Sequence, residues 1–363
     1  MSTSETIPPR WGARAPRPLT LLATLGLLLA VGPGCTILQF PAPDQPRASV
    51  PLTAEARDRY DYQIERMEDL KPTWEDDEVA ISEGTLQVRI PNAQAPTVVD
   101  DLLEVSFEYW RSKSAPADSA PVVVVTPILG GGKSMARSNC RDFARAGLHV
   151  ILAWREVKVM KRHWGLEDVE AHMRRAVAAR RALVDWALTR PEIDGDRIAA
   201  FGISMGGIVT SVLLGVEERI HSGVVALAGG DIASVLRVST EGRLVRFRET
   251  KCEEAGIDVE ALERRFREVF VSDPLAVAAS VDPERVFFVS ARYDTVVPPE
   301  NQERLWTAMG RPLRYDLPTA HYTGALFLPT VTDLIVDWFH QRLRPSPRPR
   351  TEVAKASAEA PRG

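Results

Sequence analysis

The sequence predicts an α/β protein with a doubly wound, mostly parallel sheet, antiparallel leading strands and a helical cap insertion. Two observations carry this prediction: short, almost wholly apolar runs recur along the chain, and segments with helical spacing separate them. Strands of a parallel sheet read as continuous apolar runs because helices cover both faces of the sheet. The runs span residues 122–129, 149–154, 198–201, 224–228 and 286–290.

Residues 1–34 show the order of features that is typical of a secretory signal peptide. Three arginines come first, followed by a 13-residue apolar run (19–31), a Gly-Pro-Gly triplet and Cys35. The run is short for a membrane-spanning helix. Small residues directly before a cysteine resemble a bacterial lipobox, which implies that Cys35 is lipidated and anchors an exported protein to a membrane of the cell envelope. A plain secretory signal cut nearby, or an uncleaved anchor, is the alternative.

The two ends of the remaining chain differ in composition from its middle. Prolines recur through residues 35–52, which predicts an extended tether, and residues 344–363 have too little apolar content to pack, which predicts a disordered tail. Residues 53–343 between them are expected to form the α/β domain. Its first element is predicted to be a charged surface helix over 54–70, capped by Thr53.

The composition is that of an ordinary globular protein, with 45% hydrophobic and 26% charged residues and a formal charge of −4. A nucleic-acid-binding protein needs a basic surface, so no nucleic-acid partner is expected. Cys140 and Cys252 are too few for a disulfide framework, and the sequence leaves open whether they pair after export or stay as thiols. It does not indicate an oligomeric state.

Further elements follow from the pattern of apolar residues. Segments 85–90 and 103–110 alternate apolar and polar residues, which predicts half-exposed antiparallel strands ahead of the parallel part. Residues 167–189 place apolar side chains on one helical face. The stretch 231–272 is longer than one crossover requires, and 259–270 within it has helical spacing. We therefore expect a cap insertion over the carboxyl edge of the sheet, where ligands bind in open α/β folds.

A serine lies between two glycines in the stretch Gly202-Ile203-Ser204-Met205-Gly206. An apolar strand candidate precedes the stretch and an apolar helix candidate follows it. A sharp strand-to-helix turn exposes the serine hydroxyl, and glycines let the two elements pass closely. The motif predicts Ser204 as a nucleophile and the Met205 N–H as an oxyanion donor. Taken alone, the five residues are also compatible with a glycine-rich turn and an incidental serine.

A nucleophilic serine requires a histidine base, which a carboxylate orients. His321 follows the last strand candidate, 313–317, in a loop ahead of the terminal helix 326–343. The other histidines lie in or next to predicted strands and helices or in a basic loop: His149, His163, His172, His221 and His340. Position therefore favours His321 as the base.

Asp294 is the predicted carboxylate because it follows the strand 286–290 at the end of the sheet where Ser204 also emerges. Two other aspartates are weaker candidates. Asp273 fits the N-cap of a helix, and Asp316 lies inside a strand.

The chain order Ser204, Asp294, His321 resembles that of the α/β-hydrolase superfamily, in its dienelactone-hydrolase and prolyl-oligopeptidase-like branch. The resemblance covers about residues 85–343, and its most specific parts are the segment 196–207, the segment 293–301 and the Ala-His-Tyr around His321. It implies a Ser-His-Asp triad, with serine where dienelactone hydrolases carry cysteine.

The loop after the strand at 122–126 reads Pro-Ile-Leu-Gly-Gly-Gly and lacks the His-Gly pair of the superfamily. The resemblance implies that this loop supplies the second oxyanion donor, and by position we assign it to the Leu129 N–H, with Gly130 close behind. Lys133 and Ser134 come next, so the loop also nearly matches the phosphate loop of NTPases. A proline replaces the first glycine of that motif and removes an N–H, which disfavours an NTPase. No metal or organic cofactor is implied.

These residues together predict a serine hydrolase that cleaves a small carboxylic ester through an acyl-enzyme. A peptidase or an acyltransferase of the same fold is the alternative within enzymes. A catalytically silent, anchored binding module is the alternative outside them, because a fold alone does not determine a function.

Overall fold

The structure is a computed structural model that describes residues 36–91, 95–96, 101–129, 133–154 and 159–345. Within these ranges, eleven strands form one mixed sheet: β1 (Leu38–Phe40), β2 (Gln63–Met67), β3 (Lys71–Glu75), β4 (Val79–Arg89), β5 (Leu102–Ser112), β6 (Ala120–Thr126), β7 (His149–Ala153), β8 (Ile193–Ile203), β9 (Ile220–Ala226), β10 (Val286–Ala291) and β11 (Leu313–Leu317). Their order is β1-β11-β10-β9-β8-β6-β7-β5-β4-β2, and β3 pairs with β4.

The helices are α1 (Ala54–Asp58), α2 (Lys133–Arg145), α3 (Leu166–Leu188), α4 (Met205–Val216), α5 (Ile232–Val238), α6 (Gly242–Ala255), α7 (Val259–Val269), α8 (Pro299–Ala308) and α9 (Leu328–Arg342). Apolar side chains of α3 and α4 pack on one face of the sheet. Those of α2 and α9 pack on the other. None of the helices in the described ranges is both long and apolar enough to cross a bilayer.

The predicted fold class is confirmed. Strands β6 to β11 are parallel to their neighbours within that group, and β6 is buried along its whole length. Strands β4 and β5 pair antiparallel with each other, as predicted, and β5 joins them to β7. Helix coverage of both faces explains why the central strands carry almost no polar side chains.

The predicted surface helix over 54–70 is wrong beyond its first turns. Thr53 caps α1 by accepting from the Ala56 N–H at 3.3 Å, but the helix ends at Asp58. The chain then forms β2, which pairs antiparallel with β4. Helix propensity is a small energy per residue, and the hydrogen bonds that the edge of β4 offers to β2 outweigh it.

The tether prediction for 35–52 is also wrong where the chain is described. Strand β1 pairs antiparallel with β11, and the Arg47 guanidinium donates to the Ala279 carbonyl at 2.9 Å. Residues 38–40 contain no proline and can therefore pair with the exposed edge of β11. The predicted signal peptide (1–34), Cys35 and residues 346–363 of the predicted tail lie outside the described residues.

The expected insertion between β9 and β10 consists of α5, α6 and α7, and α7 agrees with the helical spacing predicted for 259–270. Both ends of the insertion are fastened to the domain. The Asn301 amide donates to the Gly230 carbonyl at 2.8 Å, and the buried Glu170 carboxylate accepts from the Ser272 N–H at 3.0 Å and its hydroxyl at 2.8 Å. Cys140 in α2 and Cys252 in α6 are both thiols.

Candidate active site

Ser204 lies on the turn between β8 and α4, as the motif predicts. Its backbone has φ 56° and ψ −123°, which a residue with a side chain rarely adopts. Two hydrogen bonds hold the turn: the Ser204 N–H donates to the Ala226 carbonyl at 2.8 Å, and the Ile208 N–H donates to the Ser204 carbonyl at 2.9 Å. The turn directs the serine side chain away from the packed sheet and into a cavity.

The two glycines of the motif are required by close backbone contacts. A Cβ atom on Gly202 would lie 2.1 Å from the Gly206 carbonyl oxygen, and one on Gly206 would lie 2.2 Å from the Thr126 carbonyl oxygen. Both separations are far below van der Waals contact. The glycines therefore bring the end of β6 and the start of α4 together beside the serine.

Hydrogen bonds join the three predicted side chains. His321 Nε2 lies 2.9 Å from Ser204 Oγ, and His321 Nδ1 lies 2.7 Å from Asp294 Oδ2. Because a carboxylate only accepts, Nδ1 carries the proton in the neutral imidazole and Nε2 is left to accept from the serine hydroxyl. The structure thus brings Ser204, His321 and Asp294 together from three loops at the carboxyl edge of the sheet.

Asp294 is 2% exposed, and its carboxylate accepts several hydrogen bonds besides that of the histidine. Its Oδ1 accepts from the N–H groups of Val296 at 2.8 Å and Val297 at 2.9 Å. The Gln302 amide donates to Oδ2 at 3.2 Å and to the Val297 carbonyl at 2.7 Å. Such a network fixes the carboxylate in the orientation that the imidazole needs.

The serine and the histidine open onto a cavity of about 310 Å³. Its wall is mainly apolar, and it has contributions from both sides of the sheet. Ile232, Val235 and Leu244 come from the insertion helices α5 and α6, and Val331 and Ile335 come from α9.

Comparisons with known proteins show which family and which folds this chain is similar to. Residues 167–319 match the model of the Prolyl oligopeptidase family. The acetyl xylan esterase from Paenibacillus sp. R4 matches with a TM-score of 0.60 and 15% identity, over 83% of this chain and 98% of that chain. Acetyl xylan esterase 1 from Thermoanaerobacterium sp. JW/SL YS485 matches with a TM-score of 0.56 and 15% identity, over 81% and 99%. The fold is that of the α/β-hydrolases. A comparison with curated proteins found no match in sequence.

In this α/β-hydrolase fold, an oxyanion site would need backbone N–H groups beside Ser204. Met205 is the first residue of α4, where helix N–H groups have no partner inside the helix. Leu129 lines the same cavity, and its carbonyl accepts from the Arg243 guanidinium at 3.1 Å. Glycines 130–132, which belong to the same loop, lie outside the described residues. The donor role of the Leu129 N–H stays a prediction.

The weaker aspartate candidates have other partners. Asp273 accepts from the N–H groups of Asp231 at 3.0 Å and Leu275 at 2.9 Å, and so caps a short 3₁₀ turn as predicted. Burial raises the pKa of Asp273 in spite of these hydrogen bonds. Asp316 accepts from the Ser290 hydroxyl at 2.9 Å.

Other histidines of the described chain are also engaged elsewhere. His149 is buried in β7, where its Nδ1 accepts from the Ser112 N–H at 3.2 Å. Burial lowers the pKa of His149 to about 4, so that it is neutral at pH 7. His340 lies 2.7 Å from the Ala146 carbonyl, and His172 packs against the Trp164 ring.

Gln302 and Arg243 are site residues that sequence reasoning missed. Gln302 lies in the first turn of α8, eight residues after Asp294, and no local pattern distinguishes it from a solvated helix residue. Arg243 is one of several arginines on α6, and only the fold shows that it reaches the loop after β6. In the described ranges, no group of three or more His, Cys, Asp or Glu side chains could hold a metal ion.

Proposed function

We propose that this protein is a serine hydrolase that cleaves carboxylic esters through an acyl-enzyme. The observation that carries the proposal is the hydrogen-bonded series from Ser204 through His321 to Asp294 at the wall of an apolar cavity. A hydroxyl needs a base to become a nucleophile, and His321 Nε2 lies within hydrogen-bond distance of it.

Each residue has a defined part in this mechanism. Ser204 Oγ attacks the ester carbonyl while His321 Nε2 takes the hydroxyl proton, and Asp294 stabilises the resulting imidazolium. The N–H groups of Met205 and Leu129 hold the oxyanion. His321 then protonates the departing alkoxide, so the alcohol leaves and an acyl-serine remains. Water attacks the acyl-serine with His321 again as base, and the carboxylic acid and the free serine result.

The apolar wall of the cavity favours an ester substrate over a peptide substrate. Both sides of an ester can be apolar, whereas a peptide carries amide groups that need hydrogen-bond partners when they are buried. The match to the Prolyl oligopeptidase family favours a peptidase as the second candidate. Parallel assays on an aryl ester and on a chromogenic peptide amide with the same acyl group separate the two.

The decisive experiment is the substitution Ser204→Ala. We expect the rate on a short aryl ester to fall by about 10³-fold or more, because the three side chains act as a unit. Ser211→Ala is the matched control, since Ser211 lies on the same helix and its hydroxyl donates to the Gly207 carbonyl at 2.8 Å. Labelling of the parent by a serine-directed phosphonate excludes a silent binding module. Unchanged hydrolysis by purified Ser204→Ala protein contradicts the proposal.

We further propose that the protein is exported and anchored to a membrane of the cell envelope by a lipid on Cys35. Support comes from the order of features before it: arginines, a short apolar run, small residues and then the cysteine. The lipid anchor and the hydrolase mechanism rest on separate observations, and either can fail without the other.

A further inference from the structure

The chain enters the domain at the edge of the sheet that carries the candidate active site. Strand β1 is antiparallel to β11, with Leu38 opposite Asp316 and Phe40 opposite Arg314. The start of β1 therefore lies beside the carboxyl end of β11, which leads to His321. The Thr36 carbonyl accepts from the Arg292 guanidinium at 3.3 Å, and Arg292 is two residues before Asp294.

The separation between this entry point and the nucleophile follows from the strand order. Strands β1, β11, β10, β9 and β8 are successive neighbours, and Ser204 follows β8. Four strand spacings place Thr36 about 19 Å from Ser204 across the sheet. Cys35, the residue proposed to carry the lipid, directly precedes Thr36 in the chain. A lipid on Cys35 is therefore joined to the domain beside the carboxyl edge of the sheet.

Large apolar side chains are exposed at the same edge. Tyr293 is 53% exposed, Tyr322 is 69% exposed and Leu326 is 80% exposed. Tyr293 precedes Asp294, and its N–H donates to the Thr319 carbonyl at 3.0 Å, which joins the aspartate loop to the histidine loop. We call these three side chains the rim.

The rim continues into the cavity. Tyr322 is one of the cavity-lining residues, and its ring packs edge-on against the His321 ring with centroids 5.4 Å apart. Single exposed apolar residues are ordinary on protein surfaces, but several at one edge of a sheet, one of which lines an apolar cavity, favour a contact face. Tyrosine is also suited to the boundary between water and lipid, because its ring is apolar and its hydroxyl is polar.

We infer that the rim of Tyr293, Tyr322 and Leu326 docks on a lipid surface, and that the enzyme takes an ester with an apolar acyl chain from that surface. The inference rests on the proposed ester hydrolysis. Attachment at Thr36 turns the carboxyl edge of the sheet toward the membrane, and the rim then inserts its apolar side chains there. An acyl chain passes from lipid into the apolar cavity without crossing water.

The first experiment measures contact with lipid independently of activity. The full chain, reconstituted in phosphatidylcholine vesicles with brominated acyl chains, is compared with its Leu326→Trp and Leu188→Trp variants. Leu188 is a matched control because it is 45% exposed at the end of α3, near the start of β8 and so at the opposite edge of the sheet. We expect bromine to quench the fluorescence added at 326 and to leave that added at 188 unchanged.

Two outcomes overturn the inference. One is equal quenching, or none, at both positions. The other is a change in the fluorescence of Leu326→Trp with protein concentration when no vesicles are present. That result would show that the rim contacts a second copy of the chain.

The second experiment measures turnover with Leu326→Asp and Leu188→Asp. We expect both variants to hydrolyse a water-soluble acetate ester within about twofold of the parent, because neither residue lines the cavity. On a long-chain ester held in vesicles, the rate of Leu326→Asp should fall about tenfold, because an ionised carboxylate opposes insertion into lipid. The rate of Leu188→Asp should show no comparable fall. Equal rates of all three proteins on the vesicle substrate contradict the docking. A parent that is inactive on the soluble ester contradicts the proposed function instead, and the quenching result then still decides the docking.

Discussion

Ser204 has a backbone conformation that costs about 1–3 kcal/mol and persists only where the surrounding structure enforces it. The Ala226 carbonyl and the Ile208 N–H supply that enforcement by hydrogen bonds to the serine backbone. The result is a hydroxyl fixed at the start of α4, beside N–H groups that have no partner inside the helix.

The hydrogen bonds of the Asp294 carboxylate predict that Asp294→Asn lowers kcat severely. Both oxygens of the carboxylate accept from donors, so the NH₂ group of an asparagine would face a donor in either orientation. Facing His321, it would also impose the tautomer in which Nε2 is protonated and cannot take the serine proton. We expect kcat on an aryl ester to fall by about 10³-fold or more.

Asp316→Asn is the control for this substitution. Asp316 is also a buried aspartate near the carboxyl edge of the sheet, but it bonds to Ser290 and Arg292. The Asp316→Asn variant should keep kcat within about tenfold of the parent value, even if the substitution lowers the melting temperature. Equal losses in kcat for the two variants argue against Asp294 as the partner of the histidine.

At the scale of elements, the insertion helices form one wall of the cavity. Helix α6 contributes Leu244 to the lining, and its Arg243 donates to the Leu129 carbonyl. The Glu241 carboxylate begins the helix by accepting from the N–H groups of Arg243 at 2.5 Å and Leu244 at 3.1 Å. The first turn of helix α6 is therefore capped by Glu241 and bonded through Arg243 to the loop after β6.

Leu244→Trp should narrow the cavity from this wall. A larger ring in the lining excludes long acyl groups before it affects an acetyl group. We expect KM for an octanoate ester to rise about tenfold while kcat/KM for the acetate ester changes less than about threefold. Val245→Trp is the control, because Val245 lies next along the helix outside the cavity lining. An unchanged chain-length profile in Leu244→Trp contradicts the role of the insertion in selecting the acyl group.

At the scale of the whole molecule, the prediction concerns Cys35. If Cys35 carries lipid, the parent should partition with membranes and resist a salt wash, because multiple acyl chains hold a protein firmly. Cys35→Ser should abolish processing at this position and release the protein from that fraction. Cys252→Ser, which removes another thiol, should behave as the parent does. Whole-protein mass spectrometry that finds an unmodified N-terminus in the parent overturns the anchor and leaves the hydrolase mechanism untouched.

The parallel sheet and the turn at Ser204 were predictable because their signals are local. A strand covered on both faces must be apolar at nearly every position, as β6 is, and a backbone that passes within contact distance of another excludes every residue except glycine at 202 and 206. Asp294 and His321 were selected by their positions, because each follows a predicted parallel strand and such strands end at one edge of the sheet.

The tertiary structure decided what depends on distant backbone. Residues 63–67 form a strand and 38–40 form another because β4 and β11 offer unpaired edges, and the local sequence does not show that those edges exist. The roles of Gln302 and Arg243 likewise arise from contacts with residues far away in the chain or across a turn. The direction of β1 is the most consequential of these features. It places Thr36 at the edge that carries the candidate active site, since only an antiparallel partner of β11 begins where β11 ends.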